Sequence, residues 1–286
     1  MGKRTEQPDR SRFDGKDLLD GRRCVVTGGG AGIGRQIAYT LAEQGAAVAV
    51  LDYNEDLARA AARLIDAEFG ERAFPVIGDV SDLAALEGAF GRIAERFGGS
   101  VDLFVNNAGI SLPCRVEDLL LEGEEQTAIR QVMVNQVGAY FCAAHAYPLL
   151  LEGTEPIFIM IGSCASVGSE GQAVYSGTKA ALRGLLGALV KEWAATDDRP
   201  AVRVGLIEPD YFERTPLRSQ AYLEKLARAR RTTVENIANE AVAQRRIPLR
   251  REGRLVEIAE KVVTMALDTY GNGNIALLSG GKTVRP

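Results

Sequence analysis

The chain has 286 residues, 46% of them hydrophobic and 25% charged, a composition that excludes wholesale disorder and fibrous repeats. Its formal net charge of −4 argues against general nucleic-acid binding, because neutralising phosphates requires an excess of basic residues. The single histidine, His145, disfavours both a His-ligated metal centre and a Ser–His–Asp triad.

Apolar runs of strand length alternate with amphipathic stretches of helical length after residue 20. Residues 1–20 are polar and are predicted to form a flexible arm, in which Phe13 and Leu18–Leu19 are the residues able to dock. Strands are predicted at 24–26, 46–51, 73–77, 101–105, 156–161, 201–207 and 275–278, and helices at 33–44, 57–69, 82–97, 124–151, 173–195 and 255–267. This alternation predicts a doubly wound seven-stranded parallel sheet with helices on both faces, a single α/β Rossmann domain over 21–286.

Residues 210–254 interrupt this alternation between the sixth strand and the last helix. Positions 214–254 hold eleven Lys or Arg and four Glu, a local charge of +7. The insertion follows the carboxyl end of a strand, the edge of an open parallel sheet at which ligands bind. It could hold an anionic substrate, or form a solvated amphipathic helix, which is the more common role of a charge run.

A glycine-rich turn, T-G-G-G-A-G-I-G over 27–34, follows the first strand and opens the first helix. This context is typical of a dinucleotide site, because glycine backbone approaches a pyrophosphate closely and a helix N-terminus offers free N–H groups. A purely structural turn is the alternative. Asp52 ends the second strand, 18 positions after Gly34, where a carboxylate would accept hydrogen bonds from the adenosine ribose. A carboxylate there repels a 2′-phosphate, so we expect NAD rather than NADP.

Tyr175 and Lys179 are four positions apart near the start of a helix, which places both side chains on one face. A tyrosine hydroxyl has a pKa near 10, too high for a base at neutral pH, and a nearby ammonium group lowers that pKa. The pair is therefore a candidate acid/base, although Y-x-x-x-K alone also occurs by chance.

Five motifs in order resemble the short-chain dehydrogenase/reductase family over about residues 21 to 281. They are T-G-x-x-x-G-x-G at 27–34, an acidic-hydrophobic pair at Asp79-Val80, N-N-A-G at Asn106–Gly109, the active-site serine at Ser163, and Y-x-x-x-K at 175–179. The resemblance implies hydride transfer between NAD(H) and a secondary alcohol or ketone, with no metal.

The resemblance also implies a role for each catalytic residue. Tyr175 would be the general acid/base, and Lys179 would lower its pKa and hold the nicotinamide ribose. Ser163 would hydrogen-bond the reacting oxygen, in preference to Ser166 in the same loop. Asn135, which falls where the family keeps its fourth catalytic residue, would hold a water that relays protons to Lys179.

Cofactor contacts follow from the same resemblance. They are expected at Thr27, Gly28, Gly32, Ile33, Gly34, Asp52, Asp79, Val80, Asn107, Ala108, Gly109, Tyr175, Lys179, Pro209 and Thr215. Asn107 is expected to act as a scaffold as well as a contact. The chain departs from the family pattern at Pro209-Asp210, which replaces the usual Pro-Gly, and at Thr215, which comes one residue later than usual.

The insertion also resembles the corresponding part of bacterial sorbitol-6-phosphate and related polyol dehydrogenases. A polyol, a polyol phosphate or a hydroxy acid is therefore the expected substrate. The alternatives are a 3-oxoacyl-thioester reductase, whose usual NADPH is disfavoured by Asp52, and a non-catalytic NAD-sensing scaffold. The family further implies a homodimer or homotetramer built through helices 124–151 and 173–195.

The setting is expected to be cytoplasmic. The four cysteines are scattered without a C-x-x-C pair, and the charged N-terminus lacks the apolar core of a signal peptide. No apolar run reaches the about 18 residues that a membrane span requires. Neither a membrane nor a nucleic-acid partner is expected.

Overall fold

Seven parallel strands form one sheet, and helices cover both of its faces in the computed structural model, which describes residues 7–213, 219–240 and 247–283. The strands are β1 Arg23–Thr27, β2 Ala47–Asp52, β3 Ala73–Ile77, β4 Leu103–Asn106, β5 Ile157–Ile161, β6 Arg203–Pro209 and β7 Asn274–Leu278. Their order is β3-β2-β1-β4-β5-β6-β7, so the winding direction reverses between β1 and β4. The predicted doubly wound sheet is confirmed, and its reversal point is where such sheets bind ligands.

Nine α-helices lie within the described residues. They are α1 Gly32–Glu43, α2 Glu55–Phe69, α3 Leu83–Phe97, α4 Glu124–Val132, α5 Gly138–Leu151, α6 Ala173–Glu192, α7 Gln220–Ala229, α8 Val234–Glu240 and α9 Leu255–Leu267. The long helix predicted over 124–151 is present as α4 and α5, joined by a π-helical turn at Met133–Val137. Such turns insert one residue into a helix and are frequent at functional sites.

The core has two layers, one on each face of the sheet. Residues of α1, α2 and α9, among them Ile37 and Val262, pack on one face. Residues of α3, α5 and α6, among them Ile93 and Leu186, pack on the other. The interior strand β5 is buried at every position, which explains its continuous apolar sequence.

Residues 7–20 pack against the domain, in contrast to the flexible arm predicted from their polarity. Leu19 is buried in the core beside α1, and Phe13 packs against the same cluster. Both carboxylate oxygens of the buried Glu43 accept hydrogen bonds from the backbone N–H of Ser11, at 3.0 and 3.2 Å. Because a buried carboxylate requires donors, this segment completes the surface of α1. Residues 1–6 lie outside the described residues.

No helix in the described part of the chain is long and apolar enough to cross a membrane. Within the same residues, no group of three or more His, Cys, Asp or Glu side chains is arranged to hold a metal ion.

Candidate active site

Two neighbouring cavities open at the carboxyl edge of the sheet. The glycine-turn cleft, of about 330 Å³, is lined by the turn after β1 and by the ends of β2 and β4. The insertion cavity, of about 340 Å³, is lined by the ends of β5 and β6 and by α7 and α8. Tyr175 lines both, together with Ile33 and Gly162. A molecule in one cavity would therefore meet a molecule in the other beside the Tyr175 side chain.

The glycine turn has the shape that a close-fitting pyrophosphate requires. Gly28 and Gly32 have φ angles of +62° and +54°, a conformation that favours glycine. A Cβ added to Gly34 would collide with the carbonyl oxygen of Gly28. No side chain caps the N-terminus of α1, so the N–H groups of its first turn are available to an anion.

Asn107 holds the glycine turn against the end of β4. Its side-chain amide donates to the carbonyl oxygens of Thr27 at 2.9 Å and Gly28 at 3.3 Å. The Thr27 hydroxyl in turn accepts the backbone N–H groups of Asn107 and Ala108, at 2.9 and 3.0 Å. Thr27 is fully buried beneath the turn, whereas Asn107, Ala108 and Gly109 line the cleft. The scaffold role expected of Asn107 agrees with this geometry.

Asp52 lies in the cleft at the end of β2 and is 6% exposed. Its Oδ2 accepts the backbone N–H of Gly30 at 3.0 Å, and its Oδ1 accepts that of Asn54 at 3.0 Å. These bonds fix the carboxylate beside the glycine turn. Arg130, an exposed residue of α4, also lines the cleft, and no sequence motif marked it.

Asp79 and Val80 form another part of the cleft wall. The Asp79 carboxylate accepts the backbone N–H and the hydroxyl of Ser81, at 2.9 and 2.7 Å. Val80 is 5% exposed and packs so closely on Gly138 that a Cβ there would lie 2.9 Å from the Val80 Cγ2. This contact places the start of α5 directly beside the cleft.

Of the four predicted catalytic residues, Ser163 lines the insertion cavity, Lys179 lines the glycine-turn cleft, and Tyr175 lines both. The Ser163 hydroxyl, just after β5, lies close enough to the hydroxyl of Tyr175, in the first turn of α6, to lower the pKa of that tyrosine. Lys179, one turn further along α6, donates to the carbonyl oxygen of Ile161 at 2.9 Å. Its Nζ lies 5.9 Å from the centre of the Tyr175 ring.

Asn135 lies in the π-helical turn and contacts the same region. Its side-chain amide exchanges two hydrogen bonds, both of 2.8 Å, with the backbone of Ile110, and donates to the Thr178 hydroxyl at 3.1 Å. A Cβ added to Gly109 would lie 3.3 Å from the Asn135 Oδ1 and 3.4 Å from the Lys179 Nζ. Asn135 and Lys179 therefore border the same glycine.

Burial dominates the protonation of the Tyr175–Lys179 pair. It raises the pKa of Tyr175 to about 12, against a smaller lowering by the Ser163 hydroxyl. Burial also lowers the pKa of Lys179 to about 8. The sequence led us to expect a lowered tyrosine pKa, whereas burial of the phenol has the largest effect here and raises it.

Cys164 and His145 have packing roles. The Cys164 thiol donates to the Glu208 carbonyl oxygen at 3.3 Å, and burial raises its pKa to about 11, so it is a poor nucleophile. His145 stacks on Phe90 with 5.1 Å between ring centres. Neither observation adds a reactive group to the site.

One wall of the insertion cavity is polar. Gln172 donates to the hydroxyls of Ser111 and Tyr222, at 3.0 and 3.1 Å, and accepts from the Ser169 hydroxyl at 2.9 Å. Tyr222 belongs to α7, so the insertion itself completes the cavity. Leu223, Leu226 and Ile237 supply apolar lining from the same insertion.

The departure from the family pattern after β6 has a visible consequence. Pro209 and Asp210 line the insertion cavity, and the Asp210 carboxylate lies 3.1 Å from the Nζ of Lys282, which also lines it. That Nζ is 4.1 Å from the centre of the Tyr211 ring. Thr215 lies outside the described residues, and so do the nearby Arg214 and Arg218.

Several cations of the insertion pair with carboxylates of the protein. Lys225 lies 3.8 Å from Glu124, and Arg231 lies 3.6 Å from Glu117. Both partners belong to the acidic segment, residues 117–125, which has five acidic residues and no basic one. The solvated-helix interpretation of these charges therefore gains a specific form, in which Lys225 and Arg231 face the acidic segment.

A doubly wound sheet with a glycine turn at its reversal point defines a dinucleotide-binding protein, and the tyrosine–lysine pair beside it is typical of hydride-transfer enzymes. The family model for short chain dehydrogenase matches residues 22–225. The chain therefore belongs to the short-chain dehydrogenase family, and its class is that of nicotinamide-dependent oxidoreductases.

Individual relatives extend over nearly the whole chain. Sorbitol-6-phosphate 2-dehydrogenase of Klebsiella pneumoniae is 29% identical over 91% of this chain and 95% of its own length. The crystal structure of a putative short-chain alcohol dehydrogenase from Sinorhizobium meliloti has a TM-score of 0.79 at 30% identity, covering 94% of this chain and 98% of that one. That of a 3-ketoacyl-(acyl-carrier-protein) reductase from Brucella melitensis, complexed with NADH, has a TM-score of 0.76 at 26% identity, covering 93% and 100%.

Proposed function

We propose that this protein transfers a hydride between NAD(H) and a secondary alcohol or ketone, with Tyr175 as the general acid/base. One observation carries the proposal: Tyr175 lies where the glycine-turn cleft meets the insertion cavity, and the Ser163 hydroxyl lies beside it in the insertion cavity. Two hydroxyl groups at such a junction can both contact the oxygen of a substrate held next to a nicotinamide ring.

The residues of the cleft fit a dinucleotide. The uncapped start of α1 and the glycine turn would hold the pyrophosphate, and Asp52 would accept hydrogen bonds from the adenosine ribose. Asp79 and Val80 would flank the adenine. When bound, the nicotinamide supplies the hydride acceptor for oxidation or the hydride donor for reduction.

The protein's own groups manage the proton. In oxidation, Tyr175 takes the proton of the substrate hydroxyl while Ser163 hydrogen-bonds the same oxygen, and in reduction Tyr175 returns a proton to the carbonyl oxygen. Burial raises the pKa of Tyr175 to about 12, so the phenolate needs positive charge nearby. A protonated Lys179 and an oxidised nicotinamide ring would both supply it.

Lys179 and Asn135 would complete the proton path. Lys179 would hold the nicotinamide ribose through its ammonium group. Asn135 would hold a water next to that group, and the closeness of both side chains to Gly109 supports this assignment. The glycine leaves room at the position where a larger side chain would press on both.

The preference for NAD over NADP rests on Asp52. Its carboxylate is fixed by two backbone N–H groups and would lie against a ribose 2′-phosphate at close range. Repulsion between the two anions would weaken NADP binding, because both would be partly removed from water.

For the substrate we favour a polyol, a polyol phosphate or a hydroxy acid. The polar wall formed by Ser111, Ser169 and Gln172 supports a substrate with further hydroxyl groups, as does the similarity to a sorbitol-6-phosphate 2-dehydrogenase. A 3-oxoacyl thioester is the second candidate, favoured by the similarity to a 3-ketoacyl-(acyl-carrier-protein) reductase. The intramolecular ion pairs of Lys225 and Arg231 reduce the case for an anion-binding insertion.

A homodimer or homotetramer in the cytoplasm is the proposed state of the enzyme. Its interface would use α4, α5 and α6, and the exposed apolar side chains of Ile129 and Val132 on α4 and Tyr140 on α5 support this. Light scattering of the purified protein would give the mass in solution, and a monomer would contradict this assembly.

The test is NAD reduction followed by absorbance with a panel of secondary alcohols, half neutral and half carrying phosphate or carboxylate, and the reverse assay with 3-oxoacyl thioesters. Wild type should oxidise polyols or hydroxy acids, and Tyr175→Phe should lower the turnover rate at least about 100-fold. Unchanged turnover in Tyr175→Phe would contradict the mechanism. NADH binding without turnover on either panel would favour the NAD-sensing scaffold.

A further inference from the structure

The side chain of Glu208 is a buried anion that the proposed chemistry does not use. Glu208 is the second-last residue of β6 and its side chain is 0% exposed. A carboxylate removed from water in this way requires charged or hydrogen-bonding partners, and breaking such a pair is costly. Its partners are therefore informative about why an acidic residue lies there.

Two of its partners come from the two segments that carry the Ser163–Tyr175 pair. Arg183, two turns after Tyr175 on α6, donates from Nε to Oε1 at 2.8 Å and from Nη2 to Oε2 at 2.5 Å. Ser166 donates its hydroxyl to the same Oε1 at 2.7 Å. Ser166 belongs to the short 3₁₀ turn Cys164–Val167, which directly follows Ser163.

The Ser163 turn is also attached to the backbone of β6. The Cys164 thiol donates to the carbonyl oxygen of Glu208 at 3.3 Å, and the backbone N–H of Gly162 donates to that of Ile207 at 2.7 Å. Within the turn, the N–H of Ser166 donates to the carbonyl oxygen of Ser163 at 3.0 Å. Movement of Ser166 would therefore be transmitted directly to Ser163.

We propose that Glu208 is a positioning residue that joins the Ser163 turn to α6, through Ser166 and Arg183, and so fixes the distance between the Ser163 and Tyr175 hydroxyls. Bidentate pairing of a guanidinium with a carboxylate sets direction as well as distance. A buried network that has its partners also holds its members rigidly. The proposal rests on the function proposed above, because it concerns the alignment of that pair.

The proposal gives Ser166 a role different from that of Ser163. Ser166 acts on the chemistry through the turn, whereas Ser163 contacts the reacting oxygen. Loss of the Ser166 hydroxyl should therefore change kcat and its pH dependence, and leave cofactor binding unchanged.

The test compares Ser166→Ala with Ser100→Ala. Ser100 is 5% exposed and donates its hydroxyl to the Glu152 carbonyl oxygen at 2.6 Å, so it is a buried serine of the same kind. Ser100 lies before β4, at the edge of the sheet where the strands begin, whereas Ser166 lies at the edge where they end. Ser166→Ala should lower kcat about tenfold and move the pH profile to higher pH, with the KM for NAD unchanged. Ser166→Thr, which restores the hydroxyl, should recover most of the loss, and Ser100→Ala should leave kcat unchanged.

The proposal is overturned if Ser166→Ala and Ser100→Ala lower the unfolding temperature alike and neither alters kcat. Should wild type turn over none of the substrates, the proposed function fails, and amide hydrogen exchange still decides the positioning role. Exchange over residues 162–168 should then be faster in Ser166→Ala than in Ser100→Ala. Equal exchange in the two variants would contradict the positioning role itself.

Discussion

The hydroxyls of Ser163 and Tyr175 lie beside each other although the two residues are twelve positions apart in the chain. They meet because β5 ends at Ile161 and α6 begins at Ala173, and the short segment between them turns back over the edge of the sheet. The Ser163 hydroxyl lowers the pKa of Tyr175, against the larger effect of burial. Ser163 therefore influences the proton affinity of Tyr175 as well as contacting the substrate oxygen.

Replacing Ser163 should change the pH dependence of catalysis. In Ser163→Ala, Tyr175 loses the neighbouring hydroxyl that lowers its pKa, so the pH of half-maximal kcat for alcohol oxidation should move upward. The rate should fall about 100-fold, the lower range of acid/base contributions. Ser169→Ala is the control, since Ser169 lines the same cavity and bonds Gln172 instead. Its pH profile should match that of wild type, and an unmoved profile in Ser163→Ala would contradict the assignment.

Asp52 should determine the choice between NAD and NADP. Asp52→Asn retains the amide oxygen for the Gly30 N–H but removes the charge, so the ratio of kcat/KM for NAD to that for NADP should fall at least about tenfold. Asp66→Asn is a matched control, because Asp66 also accepts two backbone N–H groups. They belong to Arg72 and Ala73, at the start of β3 and away from the cleft. The ratio in Asp66→Asn should be that of wild type. An unchanged ratio in Asp52→Asn would show that another residue of the cleft, such as Arg130, determines the choice of cofactor.

The buried Lys179 should lower the free energy of unfolding at neutral pH. Burial lowers its pKa from 10.5 to about 8, so between these pH values the unfolded chain binds a proton that the folded chain lacks. The free energy of unfolding of wild type should therefore rise, through this group, as the pH increases from 8 to 10.5. Lys179→Met has nothing to titrate and should be more stable than wild type at pH 7, by up to about 3 kcal/mol, with the difference closing towards pH 10.5.

Urea unfolding of both proteins at neutral and alkaline pH measures that difference. Lys191→Met is the control, because Lys191 is an exposed residue of the same helix. Its difference from wild type should not vary with pH. A Lys179→Met difference that is equally flat would show that Lys179 is not desolvated in the folded protein.

The parts of the site built from backbone were predictable, and the parts built from distant side-chain pairs were not. The glycine turn and the strand ends follow from local sequence, because a buried strand is a continuous apolar run and a sharp turn needs glycine. The pairing of Arg183 with Glu208 depends on where α6 crosses β6, which no local pattern specifies. The packing of residues 7–20 against the domain was unpredictable for the same reason. Their partner Glu43 is a helix residue that no pattern in the sequence distinguishes from other glutamates.

Attraction to the acidic segment should hold α7, which lines the insertion cavity, in place. Lys225 and Arg231 face Glu124 and Glu117 at 3.8 and 3.6 Å, and partly exposed pairs of this kind each contribute up to about 1 kcal/mol. Lys225→Glu should therefore raise the substrate KM about two- to fivefold, with the KM for NAD unchanged. In wild type, raising the salt concentration should increase the substrate KM in the same direction, because salt screens exposed charges.

Charge reversal on both sides separates this attraction from a general effect of the mutation. The double variant Lys225→Glu/Glu124→Lys restores opposite charges at this ion pair and should recover the wild-type KM. Arg251→Glu is the control, since Arg251 pairs with Glu257 at 2.6 Å, and neither residue lines the insertion cavity. It should leave the substrate KM unchanged. If the double variant binds substrate as weakly as Lys225→Glu, Lys225 acts on the substrate directly, and the insertion is an anion-binding element after all.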